Sequence, residues 1–285
     1  MWLDGAAVPA HEAKVSVLDR GFLYGDSVYE VTRTFGGVPY LLSEHLDRLA
    51  RSAAGLKLAL PPRAMIETAT RAAAAAVPGS AATPPGDVEL YLRIVVTRGA
   101  GELGLDPALA DEPRLVVVAR PVQPPPPQAY ADGVAVVLSA RTRSAPTLKT
   151  GNYLESVLAV QEARLAGAHE ALVRDAQGRI TEGSSSNLFL VSGGRLVTPA
   201  ISAGLLPGIT RDALIRLSRQ DGLAVDEAPI WPIDLERADE RFITSSIRGV
   251  LPVTRCDGRA VGDGKPGVVT RRVMALYENA TLRSA

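Results

Sequence analysis

The sequence predicts an α+β protein in two domains, and three observations carry that prediction. A proline-rich run, "ARPVQPPPPQAYADG" (119–133), interrupts the chain near its middle. Consecutive prolines cannot join a central strand or a helix interior and favour extended polyproline geometry. On both sides of it, stretches of strand alternation are interleaved with stretches of helical periodicity. The 285 residues, 46% of them hydrophobic, suffice for two ordinary cores. The expected division is a small α+β domain over 1–120, a stiff connector over 121–132 and a larger domain over 133–285.

In chain order, "SVYEVTRTFGGVPYLL" alternates and turns at Gly36–Gly37, as a hairpin does. "SEHLDRLARSAAG" puts Leu46, Leu49 and Ala53 on one helical face and stops at Gly55. "PPRAMIETATRAAAAAV" is a second helix, with prolines where a first turn tolerates them. "VELYLRIVVTRG" and "RLVVVARP" read as buried strands, and "GVAVVLSA" as another beyond the connector. The stretch "TLKTGNYLESVLAVQEARLAG" then predicts a helix capped by Asn152 with Glu155 closing a capping box. Its expected core face is Leu154, Val157, Leu158 and Leu165, and Gly167 ends it. "EALVRDAQGRITEGSSSNLFLVSGGRLVTP" reads as a meander of short strands, and "LPGITRDALIRLSRQDG" as a helix entered through Pro207–Gly208.

Acidic and basic residues balance at 31 each, so no global field favours nucleic acid or an anionic membrane. One cysteine, Cys256, cannot form an internal disulfide, and three scattered histidines lack metal-ligand spacing. No apolar run reaches the length of a membrane span, and the start lacks signal-peptide character. These features predict a cytoplasmic protein.

Almost every basic residue is Arg; the only lysines are Lys14, Lys57, Lys149 and Lys265. Arg keeps its proton in a protein, whereas a Lys can lose it and become a nucleophile able to form a Schiff base. Lys149 stands before a helix, with Gly151 permitting close backbone approach and the Tyr153 phenol nearby in sequence. Glu182 ends a strand beside a glycine and three serines. The Pro207–Gly208 helix start aims the Ile209 and Thr210 amides forward, as phosphate-binding helix ends do. Thr244, Ser245 and Ser246 form a hydroxyl cluster between two apolar runs. An amine, a phenol, a carboxylate and a phosphate-ready helix end together suggest pyridoxal phosphate (PLP), which needs a Lys imine, a ring-nitrogen partner and a phosphate cup.

The blocks "DRGFLYGDSVYE", "EHLDRL", "LKTGNYLESVLAVQEARLAGAHEALVRD", "TEGSSSNLFLV", "LPGITRDAL" and "DGRAVGDGKPGVVTRR" resemble the class IV aminotransferases, the fold-type IV PLP enzymes. That resemblance implies a larger domain built around a β-barrel, and a homodimer in which the 99–106 loop reaches the neighbouring subunit's site. It implies that Lys149 is the Schiff-base lysine and carries the proton. Glu182 is then the ring-nitrogen partner, Tyr153 bonds the phenolic oxygen and Leu205 lies on the ring face. Arg48, Ile209, Thr210 and Ser246 hold the phosphate. Tyr24, Tyr29, Val31, Tyr91, Arg93, Ile247 and Arg248 fall on the substrate side.

Within the resemblance, the substrate signals divide. "YLRIVVTRGAGELGLDP" is similar to L-branched-chain aminotransferases, and Val31 in "VYEV" to D-amino-acid enzymes. The "SSIRG" turn replaces small residues with Arg248, whose planar fork suits a carboxylate. The expectation drawn is a D-amino-acid transaminase acting with a 2-oxo acid such as 2-oxoglutarate or pyruvate, its carboxylate trap formed by Arg93 and Arg248. An L-branched-chain transaminase is the alternative, and an aminodeoxychorismate lyase the further one.

Overall fold

The computed structural model describes residues 1–83, 86–142 and 144–283. The chain divides into two compact units: Met1–Gln123 with Leu148–Tyr153 and Thr281–Ala285, and Pro124–Thr147 with Leu154–Ala280. Leu148–Tyr153, which carries the Schiff-base lysine candidate, therefore sits with the first unit and not with the 133–285 domain expected to hold it.

The first unit is a mixed layer of sheet and helix. Its strands are β1 (Trp2–Leu3), β2 (Ala6–Ala7), β3 (Ser27–Phe35), β4 (Val38–Pro39), β5 (Leu90–Thr97) and β6 (Arg114–Pro121), in the order β2-β1-β6-β5-β3-β4. The β3–β4 hairpin pairs Phe35 with Val38 across Gly36 and Gly37, whose φ values of 55° and 80° meet the two left-handed positions of a two-residue turn. The short helix α1 (Arg20–Tyr24) precedes β3, and α2 (Leu42–Gly55) and α3 (Arg63–Ala75) lie on one face of the sheet. Val28, Ile94, Val96 and Val117 from the strands meet Leu46, Leu49, Ala53 and Ile66 from those helices in one core. Because side chains alternate along β3, Tyr29, Val31 and Arg33 point to the opposite face, with their cross-strand partners Val95, Arg93 and Tyr91.

The second unit is a curled sheet with helices. After helix α4 (Pro127–Ala131) come β7 (Val134–Leu138), helix α5 (Leu154–Leu165), β8 (Glu170–Arg174), β9 (Ile180–Gly183), β10 (Asn187–Ser192) and β11 (Arg195–Thr198). Helix α6 (Ile209–Gln220), β12 (Val225–Glu227), α7 (Pro232–Arg237), β13 (Glu240–Ser245), β14 (Gly249–Cys256), β15 (Arg259–Ala260) and α8 (Val268–Leu282) follow. The sheet runs β12-β11-β10-β13-β14-β7-β8-β9, and an antiparallel bridge between Ile180 and Ile230 draws its far edge back towards β12. The core inside it includes Leu172, Ile180, Leu188, Ile230, Ile243, Leu251 and the thiol of Cys256. Burial pushes that thiol up to about 11.

Two expectations need correction. Helix α5 begins at Leu154 and buries Ser156, Ala159 and Ala163, while Leu154, Val157 and Leu165 are exposed. The small residues face the sheet because Ala163 and Ala159 pack directly on Ala171 and Val173, and a leucine face would not fit so close. Glu155 does not cap the helix but accepts from Arg141 Nη1 at 3.0 Å. Within the connector, the strand runs to Pro121 and a helix begins at Pro127, so its prolines end one element and start another.

Leu49 is fully buried in the first core. Leu49→Ala is expected to lower unfolding free energy by about 2–5 kcal/mol, read from urea denaturation; a loss within about 0.5 kcal/mol, as for a surface site, would contradict this packing.

Candidate active site

In the first unit, Leu148–Tyr153 runs antiparallel to β3. Tyr29 N donates to Lys149 O at 3.0 Å, Gly151 N donates to Ser27 O at 2.8 Å, and Val28 bridges Thr150. Lys149 N donates to Ser52 Oγ of α2 at 3.0 Å. A Cβ on Gly151 would lie 2.2 Å from Ser27 Oγ, so only glycine lets the segment approach β3 this closely. The result places Lys149 Nζ 4.6 Å from the Tyr29 ring centroid. The Arg93 guanidinium lies 4.2 Å from the same centroid, and Tyr153 meets the Tyr29 ring edge-to-face at 5.5 Å. Tyr29, almost fully buried, thus carries two cations and a second phenol around one ring.

Under β3 lies a buried charge cluster. Glu30 Oε1 accepts from Arg48 Nε at 2.8 Å and Glu30 Oε2 from Arg48 Nη2 at 2.7 Å, a bidentate pair. His45 Nδ1 lies 2.7 Å from Glu30 Oε2. Burial pushes the Glu30 carboxyl upward, but the Arg48 charge and the bonds from Arg48 and His45 outweigh it and bring it down to about 2. Burial drives His45 the other way, below its ordinary range, against the pull of Glu30. A neutral ring keeps its proton on Nδ1 to donate to Glu30.

In the second unit, Glu182 lies buried near the end of β9 and its Oε2 accepts from Leu206 N at 3.2 Å. Asn187 Nδ2 donates to Leu206 O at 3.0 Å, so the segment of Leu205 and Leu206 is held from both sides. Leu205 itself is fully buried. Helix α6 opens at Gly208, which offers no side-chain cap to the first-turn amides. A Cβ there would lie 1.8 Å from Asn187 Oδ1. Ile209 and Thr210 form the first helical positions, both buried. The turn 245–249 links β13 to β14, and Ser246, Ile247 and Arg248 on it are half-buried.

Arg248 departs from the carboxylate trap expected of it. Nη1 donates to Glu170 Oε2 at 2.5 Å and approaches His169 Nε2 at 3.4 Å. Nη2 donates to Ser185 O at 3.1 Å and to Ser185 Oγ at 2.6 Å, and Nε donates to Ser245 Oγ at 3.1 Å. Every nitrogen of the fork already has an acceptor within its own unit.

The structure groups Tyr29, Arg93, Lys149 and Tyr153 in the first unit. Val31 and Tyr91 share that sheet face, with the Arg120 guanidinium 4.9 Å from the Tyr91 ring centroid. Tyr24 stands apart from them on α1, its hydroxyl accepting from Gly104 N of the 99–106 loop at 3.2 Å. Four residues with evident work to do were missed by sequence reasoning: Glu30, His45, Asn187 and Glu170. Glu30 had a signal, a carboxylate on the core side of an alternating strand, and His45 stands one helical turn before Arg48.

Replacing Glu30 with Gln should cost about 3–5 kcal/mol, the size expected when a buried ion pair loses one partner. The sign with pH follows from both depressed groups. The stability they contribute is complete above their unfolded values, 6.5 for His45 and 4.5 for Glu30. It is lost as pH falls, first below 6.5 through His45, then from 4.5 towards about 2 through Glu30. The gap between the melting temperatures of wild type and Glu30→Gln should therefore narrow from pH 7 to pH 3; a constant gap would show that Glu30 holds no such charge.

The profile of the amino-transferase class IV family matches residues 27–256. A putative branched-chain-amino-acid aminotransferase of Methanocaldococcus jannaschii is 37% identical, over 98% of this chain and 95% of that one. The D-alanine aminotransferase of Bacillus licheniformis is 32% identical, over 98% and 96%. Among solved structures, the Escherichia coli branched-chain amino acid aminotransferase superposes with a TM-score of 0.89 at 30% identity, covering 100% of this chain and 95% of that chain. The T.th. branched-chain amino acid aminotransferase with pyridoxamine 5′-phosphate does so with a TM-score of 0.89 at 32% identity, covering 100% and 94%. The α+β architecture with its curled sheet is that of the fold-type IV aminotransferases. Each unit by itself carries donors of a kind that PLP needs: the first a lysine amine, and the second a buried carboxylate that accepts from Leu206 N and a glycine-opened helix start whose first amides lack a side-chain cap. The chain belongs to the class IV aminotransferases and is a pyridoxal-phosphate-dependent transaminase.

Proposed function

We propose that this transaminase exchanges an amino group between L-branched-chain amino acids and a 2-oxo acid such as 2-oxoglutarate, as a cytoplasmic homodimer. This reverses the preference for D-amino acids drawn from Val31 and Arg248. The observation that carries the reversal is the commitment of Arg248 to Glu170 and Ser185, which removes the free fork that favoured a D-amino-acid carboxylate trap. The relatives named for branched-chain substrates, matched along nearly the whole chain, support the same reading. A D-amino-acid transaminase is the second reading, favoured by Val31 and by the likeness to the D-alanine aminotransferase.

In this proposal Lys149 supplies the amine that holds the cofactor and then moves the proton at the substrate Cα. Bound PLP supplies the electron sink that makes loss of that proton possible. Glu182, steadied by Leu206 N, keeps a proton on the ring nitrogen, and Tyr153 donates to the phenolic oxygen. Leu205 covers the ring, while the amides of Ile209 and Thr210, the Ser246 hydroxyl and Arg48 take the phosphate. Arg48 does so from a position fixed by Glu30. Tyr29, Val31, Tyr91 and Arg93 present one aromatic, apolar and cationic sheet face to the substrate, with Tyr24 and Ile247 at its margins. The dimer reading is supported by apolar side chains left uncovered: Phe22 at 69% exposure and Leu105 at 83% in the first unit, and Leu165 at 84% on α5. No helix among the described residues is long and apolar enough to cross a membrane.

Absorbance of the holoenzyme during anaerobic additions of L-leucine and D-alanine tests the substrate. L-Leucine should convert the pyridoxal form to the pyridoxamine form roughly tenfold faster or more, a difference of about 1.4 kcal/mol; equal or faster conversion by D-alanine supports the second reading instead. Lys149→Ala should lower turnover by at least about a hundredfold, the lower range for loss of a general acid–base. Sedimentation of the purified chain should give twice the monomer mass; a monomer at micromolar concentration contradicts the dimer.

A further inference from the structure

We infer that Glu170 and Arg248 form a positioning pair that sets the cofactor-binding geometry of the second unit. The inference rests on the assignment of Glu182 and Ser246 to the cofactor. Glu170 opens β8 and is fully buried. Its Oε1 accepts from Ser185 N at 2.5 Å, from Ser184 Oγ at 3.0 Å and from Ser185 Oγ at 3.1 Å. Its Oε2 accepts from Arg248 Nη1 at 2.5 Å. One carboxylate therefore ties the turn that follows Glu182 to the turn that contains Ser246.

The opposite end of the pair is built with the same completeness. The guanidinium side chain is only 15% exposed, and its Nη1, Nη2 and Nε are engaged by Glu170, Ser185 and Ser245. A guanidinium has five N–H donors in a fixed plane. The contacts to Glu170, His169, Ser185 O, Ser185 Oγ and Ser245 Oγ engage that set. The backbone at Arg248 is held as well: its N donates to Ser245 Oγ at 3.3 Å and its O accepts from Tyr130 Oη at 2.9 Å.

Space at the junction is tight. A Cβ on Gly183 would sit 2.9 Å from Glu170 Oε1 and 2.2 Å from Ser186 Oγ. Glycine next to Glu182 is what allows the Glu170 carboxylate to come up against that turn. The pair thus fixes Ser246, two residues before Arg248, relative to Glu182, three residues before Ser185. A half-buried Arg with every guanidinium nitrogen engaged orients its neighbours; it does not reach out for a substrate carboxylate.

Purified apoenzymes titrated with PLP, followed by absorbance and by quenching of intrinsic fluorescence, test this. Glu170→Gln and Arg248→Met should each weaken PLP binding by roughly tenfold or more, the effect typical of removing a group that orients a ligating side chain. The double variant should be little worse than either single one, because both remove the same contact. Reconstituted at saturating PLP, they should show a displaced pH titration of the bound chromophore, with KM for L-leucine and for 2-oxoglutarate close to wild type. If Arg248→Met folds poorly, Ser185→Ala removes one acceptor from the same clamp and should weaken PLP binding in the same direction. A raised KM for amino and oxo acids with unchanged PLP affinity would make Arg248 a substrate anchor and overturn the pair. A lowered melting temperature with unchanged PLP affinity and chromophore titration would reduce it to a structural contact and also overturn it. Ser246→Ala separates the two levels. Wild-type PLP affinity in that variant overturns the cofactor assignment itself, and the pair's role with it. Weakened binding there, with none in Glu170→Gln, overturns the pair alone.

Discussion

Backbone pairing between β3 and residues 149–151 is the constraint on which the placement of Lys149 in the first unit depends. A lysine side chain carries about 2 kcal/mol of rotamer entropy, so a lysine on a free loop would spend little time in any one place. Here its own carbonyl is bonded by Tyr29 N and its own amide by Ser52 Oγ. The loop is turned into an extra length of strand edge, and the side chain leaves it beside the Tyr29 ring. Gly151 makes that possible through what it lacks, since any Cβ would strike Ser27.

The two units use the same device to hold that kind of geometry. Each buries a carboxylate completely, Glu30 in one and Glu170 in the other, and surrounds it with an arginine and further donors. Burial alone would push both carboxyls up; the neighbouring charges and hydrogen bonds hold both down. Such pairs contribute little net stability over apolar packing, because desolvation consumes most of the attraction. Their return is directional. The bidentate Arg48 cannot rotate without breaking two bonds to Glu30 at once, and Arg248 is held by single bonds spread over Glu170, Ser185 and Ser245, so each arginine is kept in one orientation.

Much of this was legible from sequence, for identifiable reasons. The Gly36–Gly37 hairpin, the Leu46–Leu49–Ala53 face and the Pro207–Gly208 helix start all follow from local rules, and local rules survive folding. Lys149 and Glu182, the proposed Schiff-base lysine and ring-nitrogen partner, drew notice through residue type and neighbours alone. What failed was whatever depended on partners distant in sequence. Helix α5 showed its leucines to periodicity analysis, yet the sheet beneath it accepts only Ser156, Ala159 and Ala163. Nothing in residues 154–165 reveals how close that sheet lies. Arg248 looked like a carboxylate anchor because its acceptor, Glu170, is 78 positions away. Glu170 in turn reads as the polar start of an ordinary strand.

Cys256 closes the account with a practical property. The only thiol of the chain is enclosed in the curled sheet of the second unit and is held in its protonated form far above neutral pH. Thiolate is the species that alkylates and oxidises, so the burial of Cys256 and the upward shift of its thiol both disfavour reaction with maleimides and peroxides. A cysteine placed by design on the exposed stripe of α5, or on the 99–106 loop, would therefore be the preferred point of attachment for a fluorophore or spin label. Distances and motions could then be followed at chosen positions without first stripping the chain of its own sulfur.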